Sequence, residues 1–135
     1  MKAVPFAYAL GIAAIVSATH VWAQNPSGVP SFTDAQATRG QGAYNANCAL
    51  CHGADLGGVF APALNGPDSN IQWQTVGAVY GYMTVTMPAG NAGGLPAKDY
   101  ADIMAFLLKA HGHKAGTAAL TPSAAAGSST LIGPQ

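Results

Sequence analysis

The chain has 135 residues, with five Lys and Arg against five Asp and Glu, and only 7% of it is charged. That balance argues against a nucleic-acid surface and leaves little long-range field to steer a charged partner. With 17 glycines, much alanine and few bulky apolar side chains, a domain this small struggles to close a core alone, and something else is expected to fill it.

The first segment, residues 1–23, reads as an export signal. Lys2 opens it, "AVPFAYALGIAAIVSA" forms the apolar run, and "VWA" places small residues before a cut between Ala23 and Gln24. An uncleaved membrane anchor is the alternative, but the run is short for a bilayer span and is broken by Pro5 and Gly11. The expected location is therefore the periplasm. Residues 24–32 read as an N-terminal linker, and 33–113 as the folded domain, opening with "TDAQATRGQGAYNAN", which reads as helix.

Both cysteines fall in the next stretch, "NCALCHG", where Cys48 and Cys51 flank two residues and His52 follows. Two cysteines in an exported chain suggest a disulfide first. Thioredoxin-like exchange uses the same gap, but its motif follows a strand, and none is read here. A closed zinc site needs four ligands, and no second pair at ligand spacing is present; His111 and His113 read as solvated caps at the end of the last helix. The reading that uses all three residues is covalent haem attachment. The two thiols add to haem vinyl groups as thioethers, and His52 becomes the proximal iron ligand. One such motif implies one haem c.

The following "GADLGGVFAPALNGPDSN" reads as loop, with Asp55 solvating it. Beyond it, "VGAVYGYMTV" is apolar and contains Met83, while Met87 stands before Pro88 in "TVTMPAG". A thioether suits the second axial position of an electron-transfer haem. Met87 is the favoured sixth ligand because Pro88 stiffens the loop presenting it, and Met83 is the rival, more easily read as core. Trp73, Tyr80 and Tyr82 are aromatics with a polar tip that suit either the haem or an ordinary core, with Trp73 taken as a cofactor contact.

The last helix is read in "PAKDYADIMAFLLKAHG". Pro96 sits near its start, Asp99 and Asp102 in the early turns, and Lys109 with His111 at its end, an order that complements the helix dipole. Tyr100, Ile103, Met104, Leu107 and Leu108 make one apolar face. Residues 114–135 form a low-complexity tail without period, expected to be disordered or to dock a partner.

With these residues in place the chain resembles the class I c-type cytochromes over about Thr33 to Gly112. Gly40, Tyr44 and Cys48 match the glycine, aromatic and first haem cysteine of that family's N-terminal helix, and Ile103 and Phe106 match the pair its last helix presents. The resemblance implies that Pro62 holds the His52 imidazole through its carbonyl and that Leu64 packs on the haem. It also implies an all-α cytochrome c fold, three to five short helices wrapped around one haem. No nucleophile triad, carboxylate pair or phosphate loop points to an enzyme of its own. The expected function is one-electron transfer between a donor dehydrogenase and an acceptor, an oxidase or another cytochrome. A free periplasmic carrier and a subunit of a larger quinoprotein or flavoprotein dehydrogenase, membrane-associated or not, remain open. A gas-sensing or catalytic haem protein would require an open axial site.

Overall fold

The computed structural model describes residues 28–133, so the export signal and the first residues of the linker lie outside the described residues. The first helix, α1 (Asp34–Asn47), begins where Thr33 turns extended and its hydroxyl accepts the Gln36 amide at 3.1 Å. Asp34 in the first turn adds a charge that suits the helix N-terminus. A one-turn helix, α2 (Ala49–His52), carries most of the cysteine–histidine motif. After a long loop and a 3-10 turn at Ile71–Trp73 come α3 (Val76–Thr86), α4 (Ala97–Ala110) and the short α5 (Pro122–Ala126). Among the described residues the β pairing is a single isolated antiparallel bridge, Thr75 to Leu131, so the fold is all-α.

The frame is the crossing of α1 and α4. A Cβ at Gly40 would stand 1.8 Å from the Asp102 carbonyl oxygen, so the two backbones touch at a point only glycine allows. Around it α1 buries Gln36, Ala37 and Tyr44, while α4 buries Tyr100, Ile103, Met104, Leu107 and Leu108. That is the apolar face expected from the sequence. Asp102 lies at the same crossing with its side chain 3% exposed, and Arg39 Nε at 3.0 Å and Lys98 Nζ at 2.6 Å neutralise it.

The structure corrects the reading of both ends of the domain. The linker is not a spacer throughout, because Val29 and Phe32 are buried in the core. The described residues of the segment after α4 are not a loose tail but pack back on the domain. The segment caps α5 through Thr121, whose hydroxyl accepts the Ala124 amide at 3.1 Å, and it buries Leu120, Ala125 and Ile132. Gln36 receives it with both ends of its carboxamide, donating to Leu120 O at 2.8 Å and accepting from Leu120 N at 2.7 Å. Small residues and irregular spacing hide such a segment from periodicity, since it is held by backbone hydrogen bonds rather than by an apolar stripe.

His111 and His113 are likewise not solvated caps. Both are buried, and the carbonyls of the returning segment receive them: His113 Nε2 donates to Ile132 O at 2.6 Å, and His111 Nδ1 lies 3.1 Å from Gly133 O.

Candidate functional site

The α1–α2 junction and the loop behind it build one side of a cavity of about 670 Å³, within the range of small-molecule and cofactor sites. Cys48 ends α1, its amide bonded to Tyr44 O at 2.7 Å, and serves as the N-cap of α2, so Cys51 and His52 follow within a single turn. The chain then folds back on the motif: Gly58 N donates to His52 O at 2.8 Å, and the amides of Val59, Phe60 and Ala61 each lie 3.0 Å from Cys51 O. This reversal requires Gly58, which has φ +81° and where a Cβ would meet Ala61 O at 2.8 Å.

The reversal delivers Pro62. Its carbonyl accepts from His52 Nδ1 at 2.8 Å, which fixes the ring, assigns the proton to Nδ1 and leaves Nε2 with a free lone pair. Tyr44 braces the same turn, donating to Gly53 O at 2.7 Å and packing against Phe106 with ring centroids 5.3 Å apart. Burial, then the nearby Cys48 and Asp55, push the Tyr44 phenol up to about 12, so it stays a neutral donor. Burial and the neighbouring Cys51 also push the Cys48 thiol up, the opposite of the activated thiolate that disulfide exchange uses.

The opposing walls come from α3, the loop after it and α4. Cys48, Cys51, His52, Pro62, Leu64 and Met87 all line the one cavity, as do Met83, Ile103 and Leu107. Met87 ends α3 with its backbone fully engaged: its amide donates to Met83 O at 3.1 Å, and its carbonyl accepts from Gly93 N at 3.1 Å and from Tyr100 Oη at 2.6 Å. Met83 is buried, 8% exposed, on the core face of α3. Trp73 departs from its expected place. It is 70% exposed and does not line the cavity; the 3-10 turn aims it outward and sends Ile71 inward instead. Tyr80 is buried with its hydroxyl directed to Ala97 O at 3.4 Å, whereas Tyr82 lines the cavity and is largely exposed.

Sequence reasoning missed Asn70, Gln74 and Phe60 on the cavity walls, because a loop amide reads as turn chemistry and an isolated aromatic as filler. It also read Tyr100 as core alone, although its hydroxyl holds the methionine loop. Periodicity shows which face a residue occupies but not what its polar tip meets.

Two thiols and an imidazole with a free nitrogen share an apolar cavity with methionine sulfur. This donor set fits a covalently held haem, and the class it defines is the small all-helical c-type cytochrome. Residues 35–107 match the family described as cytochrome c oxidase, cbb3-type, subunit III, and the chain belongs to that family of c-type cytochromes. Among solved structures it is similar to a chain of the sulfane dehydrogenase SoxCD from Paracoccus pantotrophus, at 30% identity and a TM-score of 0.52. The likeness covers 75% of this chain and 57% of that one, so this chain spans little more than half of the other's length. No curated protein matches it. The protein is thus an electron-transfer protein with covalent haem c, held through Cys48 and Cys51.

Proposed function

We propose that the protein is a periplasmic one-electron carrier whose haem iron is held between His52 and Met87. The observation that carries this reading is the pairing of two prepared ligands on one cavity. His52 has its Nδ1 proton committed to Pro62 O, and Met87 has its backbone tied by three hydrogen bonds while its side chain faces the same space. Haem c, when bound, supplies a single iron that alternates between the ferrous and ferric states. The protein's own part is to keep both ligands in place through that change and to exclude water with Leu64, Ile103 and Leu107. A soft thioether favours the reduced iron and raises the potential.

The ligand assignment is read in the visible spectrum of the oxidised protein. A weak band at the red end, typical of methionine bound to iron, is expected in the wild type and in Met83→Ala. It is expected to vanish in Met87→Ala, with a lower potential and ready binding of carbon monoxide by the reduced form. Loss of the band in Met83→Ala alone would transfer the role to Met83, and its absence from the wild type would revive the open-site classes.

A second reading, supported by the likeness to a chain of a dehydrogenase and by the sparse charge, is a haem subunit of a larger periplasmic oxidoreductase complex. Untagged purification separates the two: co-elution with a large dehydrogenase supports the subunit, and a lone small haem protein the carrier. In either case the partners are a donor dehydrogenase and an acceptor oxidase or cytochrome. Export rests on the signal-like residues before Gln24.

A further inference from the structure

The segment after α4 returns across one wall of the haem cavity. Gly77 N donates to Ser128 O at 3.0 Å, Val76 N to Thr130 O at 2.8 Å, Ile132 N to Gln74 O at 2.9 Å and Gly133 N to Gln72 O at 2.8 Å. The Thr75–Leu131 bridge lies in the middle of this antiparallel run, and Ile132 is fully buried beneath it. The end of the run is locked by His113 on Ile132 O and by His111 beside Gly133 O. The other ring nitrogen of His111 lies 2.8 Å from Leu64 O, and Leu64 is itself a cavity residue. A neutral imidazole has a single N–H, so His111 donates to only one of these two carbonyls at a time, and it is the backbone hydrogen bonds that tie the segment to residues 72–77.

The wall braced in this way carries polar groups that an otherwise apolar cavity needs. Three carboxamides line the space, those of Asn47, Asn70 and Gln74. Asn47 Nδ2 is spent on Ala43 O at 2.8 Å, whereas Asn70 and Gln74 are exposed at the cavity and keep their N–H donors for a ligand. A haem brings two carboxylates, and carboxylates at an apolar wall must find donors. We propose that residues 116–133 are a strap that sets the position of this wall, so that Asn70 and Gln74 are presented to the carboxylates of the haem. The strap is a positioning element of the redox centre. The proposal rests on the haem reading but not on which methionine binds iron.

Hydrogen bonds to the charged form of an acid lower its pKa, so losing donors raises the haem carboxylates toward neutral pH. In the holoprotein this appears as an upward move of the breakpoint in the pH dependence of the reduction potential. Gly77→Ala displaces the strap from behind the wall, since its Cβ would come 2.7 Å from both Ala126 O and Ser128 O. Gln74→Leu removes a donor and leaves the strap alone. Gly81→Ala, on the same helix with nothing within 4 Å of its Cβ, is the control.

Gly77→Ala is expected to speed hydrogen exchange at the Val76 and Gly77 amides by about tenfold or more. The breakpoint is expected to move up in Gly77→Ala and in Gln74→Leu and to stay in place in Gly81→Ala. An unchanged breakpoint in Gln74→Leu, a variant that leaves the fold intact, overturns the donor role. Unchanged exchange in Gly77→Ala overturns the strap. A wild type that lacks the red-end band defeats the Met87 assignment instead and leaves both of these readouts in force.

Discussion

Asp102 shows how one buried residue reports on the whole crossing. Burial alone would raise its carboxyl, but the hydrogen bonds from Lys98 and Arg39 outweigh that and hold it below its ordinary value of 3.8. A carboxyl that is more acidic folded than unfolded contributes stability above the unfolded value, and that contribution is lost as pH falls through the folded one. Asp102→Asn is therefore expected to destabilise the protein by about 1–3 kcal/mol at neutral pH. The figure stays modest because the side chains of Arg39 and Lys98 are 51% and 65% exposed, so water screens them. The gap between the two proteins in denaturant titrations should begin to narrow as pH falls past the ordinary value of 3.8 and close only below the lower folded-state value, where the folded wild type loses its charge as well. A gap that persisted in acid would show that packing, not charge, accounts for the difference.

Among the elements, the α1–α4 pair carries the frame, and its tolerance is tested at two glycines. Gly40→Ala must push the helices apart against backbone, which overpacking data put at about 1–3 kcal/mol or more. Gly42→Ala, two positions along on the exposed side with nothing within 4 Å of its Cβ, should stabilise by about 0.5–1 kcal/mol through helix propensity. Thermal unfolding of the two variants reads opposite signs, and a destabilised Gly42→Ala would contradict the placement of the helix faces. Both of these helices were legible in the sequence, α4 from its charge order and the spacing of its apolar residues and α1 from the stretch that leads into Cys48. So was the Cys48, Cys51 and His52 turn, because its chemistry is local. The segment after α4 was not, since Leu120, Ala125 and Ile132 follow no period and their partners lie far away in the chain. His111 and His113 were misread for the same reason: the carbonyls they meet belong to that segment and to the loop at Leu64. Trp73 was misplaced because the direction of a residue in a 3-10 turn depends on the turn's closure and not on composition.

At the scale of the whole molecule, the cavity of about 670 Å³ explains why so few bulky side chains suffice. The haem is the missing part of the core, and Cys48 and Cys51 hold it at the junction of two helices. A Cys48→Ala/Cys51→Ala protein should accordingly lose much of its helicity by circular dichroism, and native-like helicity would contradict that role for the haem. The central claim, that both thiols are consumed by one haem, is tested most directly by the mass and thiol count of the intact, denatured protein. The expected result is the mass of the chain plus one haem, with no thiol left to react with an alkylating reagent. Two reactive thiols, or a disulfide that releases them on reduction with no haem bound, would contradict it.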